Sequence, residues 1–178
     1  MEASALFLDR DGVINRRPLN EYVRNWRQFE FLPGVLDAIR IFTQYFNRII
    51  IVTNQQGIGK MLMTHEDVGN IHRKMLDEIH LNHGRIDAIY YCPDLASKAD
   101  GCRKPGLKMA EMAKNDFPDI KLSSSVMVGD TASDMQFGRN AGMTTIFVGS
   151  EIPDDFKALI DQQFNNLLSF AQSLVAND

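Results

Sequence analysis

Asp9-Arg10-Asp11-Gly12 stands at the end of a short apolar run, Ala5-Leu6-Phe7-Leu8. Two carboxylates one residue apart on extended chain point to nearly the same side. One can attack phosphorus while the other handles protons at the leaving oxygen, which splits a hard displacement into two easier ones through an aspartyl-phosphate. Other apolar runs end in groups of the same kind. Ile49-Ile50-Ile51-Val52 leads into Thr53-Asn54-Gln55-Gln56-Gly57, and Val126-Met127-Val128 into Gly129-Asp130, with Thr131, Ser133 and Asp134 following. Ala88-Ile89-Tyr90-Tyr91 exits through Cys92-Pro93 toward Arg103-Lys104-Pro105. Asp9, Asp11 and Asp130 cannot stay ionised together without a cation, because like charges about 4 Å apart repel by roughly 4 kcal/mol at an effective dielectric of about 20. Oxygen ligands select a hard ion such as Mg²⁺, which keeps water and substrate phosphate in its shell. Lys104 adds positive charge. The group is suited to hold a metal and an anion side by side, and phosphate is the obvious anion.

Such residues meet only if their strands run side by side in one direction. The runs, with Thr145-Ile146-Phe147-Val148 as a fifth, are apolar on both faces, as buried parallel strands are. Helical periods separate them. Pro33 and Gly34 open a segment bearing Val35, Leu36, Ile39, Ile41 and Phe42. Thr64, with Asp67 three residues on, caps a helix carrying Val68, Ile71, Met75, Leu76 and Ile79. Pro105 is placed in the first turn of a helix with Leu107, Met109, Ala110 and Met112. A short helix starts at Ser133-Asp134-Met135 and ends at Gly142. A final helix runs through Phe156, Leu159, Ile160, Phe164, Leu167, Leu168 and Phe170. This alternation predicts an α/β fold, an open doubly wound parallel sheet with helices on both faces, whose ligands bind beyond the carboxyl ends of the strands. Residues 13–32, with Arg16-Arg17-Pro18, Tyr22, Trp26, Phe29 and Phe31, are too long for an ordinary connection. They read either as an excursion over the mouth of the site or as a packed surface hairpin.

At 178 residues the chain suits one domain, 1–178, with no room for a large cap over the site. A hydrophobic fraction of 44% and a charged fraction of 24% exclude a disordered tail, a collagen-like chain and a disulfide scaffold. Lys plus Arg number 19 against 23 Asp plus Glu, a formal charge of −4 that argues against a nucleic-acid partner. No apolar run approaches the length of a bilayer span, and Met1-Glu2-Ala3-Ser4-Ala5 lacks the marks of a signal peptide, so no membrane is expected. With only Cys92 and Cys102, the chain reads as a cytoplasmic protein with reduced thiols, and a monomer is the expected state. His80 and His83 lie one helical turn apart without a third ligand and read as surface residues. A P-loop is excluded, since Gly59-Lys60 is followed by Met61.

Asp9-Arg10-Asp11-Gly12-Val13-Ile14-Asn15, Thr53-Asn54-Gln55-Gln56-Gly57-Ile58-Gly59, Cys102-Arg103-Lys104-Pro105-Gly106 and Val128-Gly129-Asp130 resemble the four signature motifs of the haloacid dehalogenase superfamily. The resemblance spans Leu6 to about Gly149 and is narrowest to the branch of heptose bisphosphate and histidinol-phosphate phosphatases. It implies Asp9 as nucleophile, Asp11 as general acid and then base, and Thr53 and Lys104 as holders of the transferring phosphoryl group. It implies Mg²⁺ on Asp9, the Asp11 backbone carbonyl and Asp130, with Asp134 supporting from behind. Arg103, Asn54, Gln55 and Gln56 would meet the substrate, a small phosphorylated metabolite. The 7-phosphate of D-glycero-D-manno-heptose 1,7-bisphosphate is the leading expectation and histidinol phosphate the alternative. Arg16, Arg17 and Arg103 are candidates for a second phosphate. One departure stands out. The branch commonly holds a structural zinc with Cys-x-His and Cys-x-Cys ahead of Arg-Lys-Pro, but here Cys92-Pro93-Asp94 and Asp100-Gly101-Cys102 keep only the outer cysteines. Carboxylates are uncommon in such zinc sites, and a loop without metal is expected. A phospho-accepting receiver domain also gathers acids, Mg²⁺ and a lysine at strand ends, but places its acceptor on the third strand. Here the acid pair is on the first.

Overall fold

The computed structural model describes residues 3–19 and 21–176. The reading of the N-terminus rests partly on Met1 and Glu2, outside the described residues. Strands β1 (Ala3–Leu8), β2 (Phe46–Asn54), β3 (Ala88–Cys92), β4 (Val126–Gly129), β5 (Thr144–Val148) and β6 (Gln162–Phe164) form one parallel sheet in the order β3-β2-β1-β4-β5-β6. The chain runs outward from β1 in one direction and then from β4 in the other. The topological switch point therefore lies between β1 and β4, where open α/β sheets bind ligands.

Alternation along the strands divides the core. Leu6, Leu8, Ile49 and Ile51 face one layer, made by α1 (Val35–Tyr45), α2 (His65–Leu81) and α5 (Leu167–Ala176). Ala5, Phe7, Ile50 and Val52 face the other, made by α3 (Lys108–Asp116) and α4 (Ala132–Asn140). All eight of these strand residues are fully buried, so both faces are covered. The expected cap of α2 is present: the Thr64 hydroxyl accepts the Asp67 amide and the Asp67 carboxylate accepts the Thr64 amide. His80 and His83 are exposed. No helix among the described residues is long and apolar enough to cross a membrane.

Three expectations need correction. The long final helix is instead a 3₁₀ stretch (Asp154–Leu159), the sixth strand, and α5. The break is a side-chain event: Asp161 accepts the Thr145 amide at 2.9 Å and the Arg139 guanidinium at 2.6 Å, which lays the following residues beside β5. Asn166 Oδ1 then accepts the Ser169 amide at 2.9 Å and restarts the helix. Pro105 does not open α3, which begins at Lys108; it lies in a turn closed by the Gly106 amide on the Arg103 carbonyl (2.9 Å). The third concerns Cys92 and Cys102, which form a disulfide rather than reduced thiols. Cys92 ends β3, the Asp94 carboxylate folds the loop back by accepting the Cys102 amide (3.0 Å), and the two Cα atoms come within 5.4 Å.

Residues 13–32 combine both readings made of them. Asn15 bridges to Phe31, and Trp26, Phe29 and Phe31 pack ring on ring, as a surface hairpin would. Arg17, Pro18, Glu21, Tyr22 and Val23 nevertheless line the cavity at the switch point.

Candidate active site

β1 stops one residue short of Asp9, whose amide donates to the Val128 carbonyl of β4 at 3.0 Å. The next turn folds around one acceptor: the Arg10 carbonyl takes the amide hydrogens of Ile14 (2.8 Å) and Asn15 (3.1 Å). Gly12 holds φ +97° in this turn, and a Cβ there would collide with Asp130 Oδ2. Left-handed backbone and close approach both demand glycine.

The two aspartates of the pair are held by different partners. Asp9 Oδ1 accepts from Lys104 Nζ at 2.8 Å, and that ammonium also donates to the Val52 carbonyl (2.7 Å) and lies 2.6 Å from Asp134 Oδ1. All three lysine hydrogens are thereby placed. Asn54, at the end of β2, brings the lysine there by accepting the Lys104 amide (3.0 Å). Asp134 is itself fixed by the capping box that opens α4, its Oδ2 accepting the Thr131 amide at 3.1 Å. Asp11 accepts from Arg10 Nη2 at 2.9 and 3.0 Å, from Asn15 Nδ2 at 3.0 Å and from Gln55 Nε2 at 2.8 Å. Arg10 is fully buried, with its other terminal nitrogen 3.1 Å from His72 Nε2 on α2.

The electrostatics follow from this wiring. Burial first, and then Asp134, push the Asp9 carboxyl up to about 6 despite Lys104. Burial first, and then Asp9, push Asp130 up to about 8 against the pull of Arg17. Both shifts report a cluster short of positive charge. Asp11 goes the other way: burial opposes ionisation, but the Arg10 guanidinium and the hydrogen bonds from Asn15, Arg10 and Gln55 outweigh it and hold the carboxyl low. Lys104 is held above its ordinary value, since Asp134 and Asp9 outweigh its burial. Burial and Arg10 lower His72 to about 3, so its neutral ring accepts from Arg10.

The donor set fits a hard divalent cation. Asp9, Asp130 and Asp134 each offer an oxygen within 4.8 Å of the others, Gly12 leaves room that a side chain would fill, and the Arg17 guanidinium already leans on two of the three, Asp9 and Asp130. Arg17 Nη2 lies 2.5 Å from the Asp11 carbonyl, 2.8 Å from Asp130 Oδ1 and 3.6 Å from Asp9 Oδ2.

Of the residues singled out in the sequence, Asp9, Asp11, Asn54, Gln55, Gln56, Arg103, Lys104, Ser133 and Asp134 line one cavity of about 210 Å³. Thr53 sits beneath it, fully buried, its hydroxyl accepting from Gln55 Nε2 at 2.9 Å. Asp130 stands under Arg17. Arg16 turns outward to Glu30 (3.0 Å), away from the cluster. Sequence reasoning missed Arg10 and His72. The one available signal was strand alternation, which sends Arg10 to the opposite side from its two aspartate neighbours, toward α2.

The chain is similar to known phosphatases. A family model described as HAD-hydrolase-like matches residues 101–167. The chain is 44% identical over 137 residues, 76% of its length and 71% of the other's, to a D-glycero-alpha-D-manno-heptose-1,7-bisphosphate 7-phosphatase of Mycobacterium tuberculosis. It is 37% identical over 167 residues, 94% of its length and 93% of the other's, to the protein of the same name from Campylobacter jejuni. Among solved structures, the D,D-heptose 1,7-bisphosphate phosphatase of B. bronchiseptica, crystallised with magnesium and phosphate, superposes with a TM-score of 0.87 at 28% identity, covering 98% of this chain and 99% of that one.

Proposed function

The chain belongs to the haloacid dehalogenase-like hydrolases, in the branch of the heptose-bisphosphate phosphatases, and from that footing we propose that it removes the 7-phosphate of D-glycero-D-manno-heptose 1,7-bisphosphate with the help of Mg²⁺. The observation that carries this reading is the pair of aspartates at the switch point, one against a lysine and the other in an arginine–amide cradle. Asp9 is the nucleophile: a carboxylate oxygen attacks phosphorus as the bond to the sugar oxygen breaks. Asp11 gives that oxygen its proton, then takes one from the water that attacks phosphorus and frees Asp9. The Arg10, Asn15 and Gln55 contacts favour ionised Asp11; the negative charge of an arriving phosphate raises its carboxyl and supplies the acid form.

Lys104 and Thr53 hold the phosphoryl oxygens. Asp9, the Asp11 carbonyl and Asp130 would hold Mg²⁺, which when bound would neutralise charge on the phosphoryl group. Arg103, Asn54, Gln55 and Gln56 meet the sugar side. A cavity of about 210 Å³ lies below the usual range for small-molecule pockets, roughly 300–1,000 Å³. It suits the phosphorylated end of a ligand, with the rest at the mouth. We assign no zinc to the Cys92–Cys102 loop: Cys92, Asp94 and Cys102 bring three ligand atoms together, one short of the usual tetrahedral set, and the two sulfurs are bonded to each other. We place the protein in the cytoplasm as a monomer.

The test is phosphate release from heptose bisphosphates, histidinol phosphate and simple sugar phosphates, run beside two variants. Asp9→Asn abolishes turnover, and Asp11→Asn slows it by roughly 10²–10⁴-fold while ligand still binds. Rapid-quench trapping of a hydroxylamine-sensitive adduct on Asp9 supports the covalent route; wild-type rates in either variant exclude it.

A further inference from the structure

Arg17 occupies an unusual position for a half-exposed arginine. Its guanidinium bonds the Asp11 carbonyl through both Nη2 (2.5 Å) and Nε (3.1 Å), bonds Asp130 Oδ1 (2.8 Å) and faces Asp9 Oδ2 (3.6 Å). These are the same three groups assigned above to Mg²⁺. We propose that Arg17 is a substrate-binding residue with two stations: it rests on the metal's oxygens while the cation is absent and, once displaced, holds the second anionic group of the substrate at the cavity mouth. The inference rests on the reading that the site takes a divalent cation and a phosphorylated sugar.

Charge and geometry both require the exchange. With Asp9, Asp11, Asp130 and Asp134 all ionised, Arg10 and Lys104 leave two negative charges unmatched, and a divalent ion in place of Arg17 balances them. Arg17 and Mg²⁺ cannot hold the same lone pairs together, and two cations at that spacing repel. The displaced side chain keeps an anion within reach. Its backbone is set by its neighbour, since the Arg16 amide donates to the Glu30 carbonyl at 2.8 Å, while its side chain is 45% exposed and lines the cavity beside Pro18, Glu21 and Tyr22. A planar guanidinium matches two phosphate oxygens at once. Of the arginines considered for a second phosphate, Arg16 is taken by Glu30, whereas Arg17 and Arg103 line the cavity.

Calorimetric titration of the metal-free full-length protein with MgCl₂, without substrate, reads the first station. Arg17→Gln binds Mg²⁺ about tenfold more tightly than wild type, as expected for loss of one competing charge contact of ordinary strength. Arg17→Lys keeps the charge but loses the fork, so its Mg²⁺ affinity lies between those of wild type and Arg17→Gln. Unchanged or weaker binding in Arg17→Gln overturns the resting position, and equal tightening in both variants reduces it to a packing effect. At saturating Mg²⁺, Arg17→Gln raises KM for a sugar bisphosphate about tenfold, with a smaller change for the matching monophosphate. Equal changes for both substrates overturn the second station. If Mg²⁺ tightens as expected but no phosphate ester is hydrolysed by any form, the resting position stands and the functional reading falls.

Discussion

Asp134 performs two tasks with one carboxylate, and substitution can separate them. Its Oδ1 lies 2.6 Å from Lys104 Nζ with both side chains 1% exposed, and its Oδ2 accepts the Thr131 amide at 3.1 Å to cap α4. Removing one member of a buried ion pair costs about 3–5 kcal/mol when its partner is left uncompensated. Lys104 retains Asp9 at 2.8 Å and the Val52 carbonyl at 2.7 Å, so the lower end applies. Asp134→Asn keeps an acceptor for the Thr131 amide, because Asp134 stands at the third helical position of the capping box and Thr131 remains the N-cap. It therefore loses at most about 3 kcal/mol, offset by the repulsion that Asp9 and Asp130 no longer feel from Asp134. Asp134→Ala also loses the bond from the Thr131 amide, half of the capping box, and gives up about 1 kcal/mol more. Urea unfolding of the metal-free protein, followed by circular dichroism, measures both. With a slope of about 1–3 kcal/mol/M, the Asn midpoint falls by at most roughly 1–3 M and the Ala midpoint falls further. An Asn variant within about 0.5 kcal/mol of wild type would show that the pair adds no net stability, and the argument from its burial would fail.

Two further perturbations act on the same cluster. Gly12→Ala places a Cβ against Asp130 Oδ2 on left-handed backbone; it destabilises the fold by about 1–3 kcal/mol and weakens Mg²⁺ binding, and calorimetry finding neither effect refutes the cradle. Asp9 and Asp130 hold their protons more tightly folded than unfolded, so the stability they contribute is present below about pH 4 and is lost as pH rises through about 6 and about 8. Added Mg²⁺ competes with those protons and restores stability where they have left, giving a larger gain in Tm near pH 8 than near pH 5. Equal gains at the two pH values in scanning calorimetry contradict the assignment of these carboxylates to the cation.

What the chain reveals unaided is local or periodic. The apolar runs and the helical periods between them specify a parallel sheet, and the caps Thr64–Asp67 and Thr131–Asp134 are legible because each closes within four residues. The order of acidic and basic residues at strand ends already points to phosphate chemistry, since a doubly wound sheet has one edge for them to share. Folding decides what depends on contacts between distant segments. The last apolar residues carry a helical period, yet Asp161 ties them to Thr145 and Arg139, and a strand forms there instead. Cys92 and Cys102 meet across a loop that the Asp94 carboxylate folds back. Lys104 reaches Asp9 across 95 positions, and Arg17 reaches Asp130 across 113. Amphipathic period reports which face of an element is buried; it carries no information about which buried or half-buried charge a distant side chain will neutralise. That choice is made by the low dielectric of the assembled site, where an unpaired carboxylate costs more than the chain entropy of bringing a cation to it.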